Sequence, residues 1–393
     1  MFDRAVEDIS GRPIVKELQS LRGIAAVIVL VYHAALYLDF GAGPAFWMTT
    51  VVNAHAAVVS FFVLSGLVLT LSLMRAPLTL EEVGFFYLRR AFRIYPALWF
   101  ACGIATCFFL VLGNATLPAA GTAWASMNFA VWPLSWAKLA LAFAGIKPYL
   151  PVPIWSLAVE LIGSLAMPLV LLSMHRSVWA FAALTLGLAI VSIRASTGLV
   201  LVPNYLVDFA LGAGIALAVP AWRRAARRGW VVGIVALVGF GILWCARLMT
   251  GADFDRLYHQ GAAATLEGVG AALLIGSIYV RPDCFRLLAG RTLMWLGDIS
   301  YSLYLLHLPV LGVVGALAGW IAPVWIGDHP GIATLALVAA TAAVTLPVAD
   351  WAFRRIELPT IGASQRALRR LKDRLHPPEG MPIAGWSTDA RPT

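Results

Sequence analysis

Charge is what this sequence has least of. Asp, Glu, Lys and Arg together make up 12% of its 393 residues, about half the share usual in soluble domains. Long runs with almost no charge recur along the chain, so the polar helix faces of a soluble bundle are missing. This excludes a large soluble core and predicts an all-α fold, a polytopic helical bundle integral to a membrane. Cysteine is scarce as well. Cys102, Cys107, Cys245 and Cys284 have neither C-x-x-C spacing nor a histidine partner pattern. They read as packing residues or free thiols, and no metal site is expected. Neither an internal repeat nor a second soluble domain is found. A cleavable signal peptide is not evident either, because a charged stretch of about twenty residues precedes the first apolar run.

What charge there is leans basic, with a net of +9. In a membrane protein this points to anionic lipid rather than nucleic acid, because basic residues collect at the cytoplasmic surface. Ten spans are expected, near 21–38, 49–74, 94–113, 153–173, 177–195, 200–219, 229–249, 261–280, 296–320 and 331–353. With both termini in the cytoplasm, 24 of the 29 Lys and Arg residues fall inside; the exceptions are Lys138, Lys147, Arg194, Arg247 and Arg256. Residues 123–146, rich in Trp and interrupted by Pro133 and Lys138, read as an interfacial or re-entrant piece. Making them a span would invert everything that follows and spoil the asymmetry. Trp47, Trp320 and Trp325 fall near outer boundaries, and Trp222, Trp230, Trp295 and Trp351 near inner ones, as an aromatic belt requires. The membrane-embedded part is expected over 1–360. After it, 362–374 reads as a basic helix on the inner leaflet, and the Pro- and Gly-rich tail as disordered.

Polar residues inside the apolar runs carry the functional signal. Arg22 and His33 lie eleven residues apart in the first span, on one helix face and about 16 Å apart along the axis. Arg22 is expected at the cytoplasmic boundary and His33 a little past mid-membrane. Glu160, in "PVPIWSLAVELIGSLAMP", and His307, in "LGDISYSLYLLHLPV", are expected at the depth of His33. A carboxylate at that depth is costly unless paired, and His33 is its natural partner. Arg89, Arg90 and Arg93, in "FYLRRAFRIYPALW", are expected beside Arg22 at the cytoplasmic mouth. Taken singly these are ordinary positive-inside charges; taken together their guanidinium forks suit phosphates. Ser65 and Gly66 lie in the inner half of the second span. Gly66 permits close helix packing, or leaves room for a narrow ligand arm.

These motifs resemble the acyltransferase-3 family of integral membrane O-acyltransferases over about residues 14–360. The resemblance rests on the Arg22/His33 pair, "FFVLSG" (61–66), "RRAFRIYP" (89–96), "WSLAVE" (155–160) and "LGDISYSLYLLH" (296–307), in that order. It implies transfer of an acyl group, usually acetyl, from cytoplasmic acyl-CoA to a hydroxyl of an extracytoplasmic glycan or glycolipid. The implied location is a bacterial inner (plasma) membrane. No tightly bound cofactor is implied; acyl-CoA is the donor substrate. The family pattern makes Arg22 and His33 the essential pair, Glu160 a required acid, and Arg89, Arg90 and Arg93 donor-side residues. Many members read Val-Asp-Leu where this chain has Val58, Val59 and Ser60, so this chain lacks that acid. Some members add a C-terminal hydrolase-like domain. This chain ends too early for one, and its work is expected within the membrane or with a separate partner.

On this reading the CoA phosphates sit near the four arginines and the pantetheine arm passes Ser65. His33 acts as general base, with Glu160 orienting the imidazole. An acyl-His33 intermediate is equally allowed. Tyr301, Tyr304 or His307 is expected to donate to the oxyanion, with Trp155 and Ser156 as possible contacts. A basic vestibule below an intramembrane ionisable cluster also suits a proton-coupled transporter of an anionic solute. The missing repeat between the two halves weighs against that alternative.

Overall fold

The computed structural model describes residues 15–41, 51–112, 121–129, 134–194, 202–225, 228–250 and 261–375. Trp47 and the tail beyond 375 lie outside them. Apart from one antiparallel bridge between Leu38 and Gly121, the regular structure among the described residues is helical. The spans are α1 (Lys16–Ala35), α2 (Ala54–Leu73), α3 (Leu80–Leu112), α6 (Ile154–Arg176), α7 (Val178–Arg194), α8 (Leu206–Ala225), α9 (Gly229–Thr250), α10 (Gly261–Val280), α12 (Ser300–Ile321) and α14 (Pro330–Ala352). Shorter helices are α4 (Ala123–Phe129), α5 (Trp136–Phe143), α11 (Arg291–Asp298) and α13 (Pro323–Asp328), and α15 (Leu358–Leu375) follows α14. Among the described residues nine helices are long and apolar enough to cross a bilayer, and α7 is apolar with 17 residues. Together these ten helices correspond one to one with the ten expected spans. The chain is an all-α, multi-pass integral membrane protein.

Four local differences from the sequence reading bear on the site. First, α3 starts at Leu80, well before the expected residue 94. Thr79 caps it by accepting from the Glu82 N–H at 3.2 Å, and Glu81 and Glu82 lie in the first turn, where negative charge suits the helix dipole. The extension carries Arg89, Arg90 and Arg93 as helical residues. Second, the ninth span breaks at Ile299 into α11 and α12. Third, residues 123–146 hold two helices of 7 and 8 residues, each too short to cross a bilayer. Fourth, the basic helix α15 packs on α3, burying Leu368. Lys372 pairs with Glu82 and lies 4.9 Å from the centre of the Phe85 ring.

Helices that share a lipid solvent gain little from hydrophobicity and associate by close packing. Gly66 of α2 faces the α8 backbone, where a Cβ would sit 2.2 Å from the Phe209 carbonyl oxygen. Gly212 of α8 returns the contact, its Cβ position lying 2.1 Å from the Val63 carbonyl oxygen. Of the two roles open to Gly66, this contact is close packing. Gly23 of α1 and Gly297 of α11 form a second such pair, with clashes of 2.5 and 2.3 Å for an added Cβ. That contact sets the position of α1 next to the start of α12. Gly66→Val should lower stability by about 3 kcal/mol, the upper end of overpacking costs. Thermal unfolding of the detergent-solubilised protein would register this as a lowered Tm.

Candidate active site

His33 occupies the last turn of α1, nearer the outer end than mid-membrane, and is half-buried. Its Nδ1 lies 2.9 Å from Nε2 of His307 on α12. The rings are nearly parallel, with centroids 5.1 Å apart. His307 Nδ1 lies 2.6 Å from the Tyr304 carbonyl oxygen. A carbonyl only accepts, so His307 Nδ1 carries hydrogen. In a neutral imidazole the other nitrogen then accepts. His33 Nδ1–H is therefore the donor between the rings, and His33 Nε2 keeps its lone pair. Trp124 of α4 stacks on His33, centroids 5.3 Å apart and planes 9° apart. The short helix in the Trp-rich segment thus covers the histidine pair.

The expected partnership of His33 with Glu160 is not formed. Ser156 of α6 meets Tyr304, which lies one turn inward of His307, with the oxygens 2.5 Å apart. Glu160 lies one further turn inward on α6, about 10 Å from the histidine level. There it accepts from Arg90 Nη2 at 2.8 Å, and the same nitrogen donates to Ser164 Oγ at 2.8 Å. Depth estimated from each span's ends missed this offset because the outer ends of α1 and α6 are not level. His307 holds the place beside His33 that Glu160 was expected to take.

The tyrosines are committed elsewhere. Tyr301 donates to the Ile94 carbonyl at 2.9 Å. Ser156 gives its hydrogen to the Pro153 carbonyl at 2.9 Å, so Tyr304 donates its own to Ser156. In this arrangement neither phenol has a hydrogen left for an oxyanion. Trp155, half-buried, points instead towards Tyr205, with ring centroids 5.8 Å apart. Ser65 is half-buried on α2.

Below the tyrosines lies a charged layer. Arg22 is within electrostatic reach of Arg90, Arg93, Glu160 and Glu357, and Tyr301 feels the same group without Arg22. Arg22, Arg90 and Arg93 therefore come together, with Arg22 about three turns below His33 on α1. Arg89 does not join them and faces Glu82 at the cytoplasmic end of α3. Among the described residues the buried Nε of Arg90 has no hydrogen-bond partner, which leaves a donor for an anionic oxygen. Among the described residues no group of three or more His, Cys, Asp or Glu side chains is placed to hold a metal ion.

Two features were missed by the sequence reading. Glu357 closes a short π-helical stretch, Phe353–Glu357, and is 3% exposed. The second is a buried polar cluster in the outer half. His55 Nδ1 pairs with Glu267, and His55 Nε2 lies 2.7 Å from the Tyr205 hydroxyl. Asn53 donates to Glu267 Oε1 at 3.1 Å, and Arg247 Nε lies 3.5 Å from the same oxygen. Asp208, fully buried, adjoins it across Gly268. The cluster ties α2, α8, α9 and α10 and explains why Arg247 lies on the outer side. Its signal was present, since Glu267 interrupts "AAATLEGVGAALL" as Glu160 interrupts its own span. Removing Glu267 leaves the half-buried Arg247 without its counterion and the buried Asn53 and His55 without their acceptor, at a cost of about 3–5 kcal/mol. Glu267→Ala should lower the Tm well below that of Glu267→Gln, measured in detergent or nanodiscs.

The family model described as an acyltransferase domain (Acyl_transf_3) matches residues 15–354. A relative, Nodulation protein 10 of Rhizobium leguminosarum bv. viciae, is 25% identical over 345 residues, covering 81% of this chain and 89% of that protein. No solved structure matches. An intramembrane histidine with a free nitrogen, set above an arginine layer, thus sits in a domain matched over most of its length, and the chain belongs to the acyltransferase-3 family of membrane acyltransferases.

Proposed function

We propose that this protein is an acyl-CoA-dependent O-acyltransferase of a bacterial inner membrane. It moves an acyl group, acetyl in the simplest case, from cytoplasmic acyl-CoA to a hydroxyl of an extracytoplasmic glycan or glycolipid. The observation that carries this reading is the polar column from the arginine layer to the uncommitted Nε2 of His33. Arg22 and His33 are about 16 Å apart along α1, a distance that an extended pantetheine arm can cover. Arg90, through its unpaired Nε, together with Arg22 and Arg93, would hold phosphate oxygens at the lower end. Glu160 steadies Arg90 by its ion pair.

The chemistry follows from the histidine tautomers. His33 Nε2 takes the proton of the acceptor hydroxyl, and the oxygen attacks the thioester carbonyl. The tetrahedral intermediate collapses with loss of the CoA thiolate, which takes the proton back from His33. No net proton is consumed. While the imidazolium exists, its Nδ1–H remains bonded to His307 Nε2, and His307 is held by the Tyr304 carbonyl. In a hydrolase triad a carboxylate performs this orienting task. In this protein a neutral ring performs it, and a neutral ring needs no counterion in a low-dielectric site. Trp124 limits water access from the outer side and leaves the acceptor to approach past α4.

Radiolabelled acetyl-CoA supplied to inside-out vesicles should label envelope glycans with the wild type and not with His33→Ala. Equal labelling by both would remove His33 from the reaction. His307→Ala should reduce kcat on the order of a hundredfold with little change in KM for the donor. His307→Gln, whose amide oxygen can accept from Nδ1–H, should recover part of the loss. A large rise in donor KM with unchanged kcat would assign His307 to binding instead.

A further inference from the structure

The charged layer contains one group that the proposed mechanism does not use. Glu357 lies just past the end of α14, where a π-helical turn rotates its side chain into the bundle. One oxygen, Oε1, accepts from both the backbone N–H of Ser302, at 3.1 Å, and the Ser302 hydroxyl. Among the described residues Oε2 receives no hydrogen bond. The carboxylate is 3% exposed and within electrostatic reach of Arg93 and Arg22. Glu160 has its own direct partner in Arg90. Arg22 and Arg93 have no such direct ion pair among the described residues, and Glu357 faces both.

A carboxylate that is 3% exposed and takes hydrogen bonds through one oxygen only is costly to keep charged. If its task were only to cap the first turn of α12, a neutral side chain would do it without bringing a charge into the bundle. Its negative charge has an effect of another kind on the two arginines. It offsets their field in the space where the proposed function places donor phosphates. An enzyme that must release CoA after each turnover gains from limited product affinity, because uniform binding lowers KM without raising kcat.

We infer that Glu357 is an internal counter-anion of the donor site, which competes with donor phosphate for Arg22 and Arg93 and so sets CoA affinity low enough for release. This rests on the proposed binding of acyl-CoA at the arginine layer. It makes a prediction opposite in sign to that of a structural role. Removing the charge while keeping an acceptor for Ser302 strengthens CoA binding.

The test uses the full-length protein in lipid nanodiscs and measures the dissociation constant for CoA itself. For Glu357→Gln it should fall at least about threefold, as expected when an opposing charge several ångströms from a phosphate is removed. Ser302→Ala, which removes a hydrogen bond and no charge, should stay near the wild-type value. Steady-state assays of Glu357→Gln should show a lower donor KM together with a lower kcat, because CoA leaves more slowly. If the Gln variant does not fold, Glu357→Ser supplies a second neutral side chain for the same measurement. Weaker or unchanged CoA binding by the neutral variant would overturn the inference and leave the donor reading intact, provided the wild type binds CoA. Absence of CoA binding by the wild type would overturn both.

Discussion

A histidine held by a second histidine is the contact on which the site depends. Inside a bilayer every polar group needs a partner of suitable polarity, and an ion needs a counterion as well. Pairing His33 with neutral His307 satisfies the imidazole without introducing charge at the outer level. The Tyr304 carbonyl fixes one tautomer, which fixes the other, and a basic nitrogen is left without a partner among the described residues. The chemistry available to His33 thus follows from a backbone carbonyl two links away from it in the hydrogen-bond chain.

Below that level the protein uses charges, and it distributes them in layers. Glu160 meets Arg90 directly, whereas Glu357 acts on Arg22 and Arg93 through space. In the outer half a separate cluster gathers His55, Glu267 and Arg247. Glycine contacts between α2 and α8 and between α1 and α11 bring the backbones close enough for these side chains to meet. Substituting a larger residue at Gly23 would move Arg22 relative to α12 as well as loosen the packing.

Much of the fold was legible in the sequence. Charge-free runs mark spans because lipid leaves few alternatives to a helix, and the bias of basic residues sets orientation. The same reasoning identified Arg22, His33, Arg90, Arg93 and His307 as residues of one region. It went wrong where depth had to be inferred from span ends. Glu160 was assigned to His33 because each span was treated as a straight rod of standard length. It also applied the rule for intramembrane acids to Glu160 and not to Glu267 or Glu357, which obey it equally.

What the sequence by itself determined is the set of membrane helices, their orientation and the kinds of group buried in them. Those depend on hydropathy, period and charge, which are local properties of the chain. Only the tertiary structure decided which buried group meets which. Partner choice depends on the axial offset and rotation between helices far apart in sequence. Two helical turns are enough to exchange a carboxylate for an imidazole beside His33. The break at Ile299, the early start of α3 at Leu80 and the π-turn before Leu358 set those offsets, and with them the tautomer of His33 and the field around the arginines.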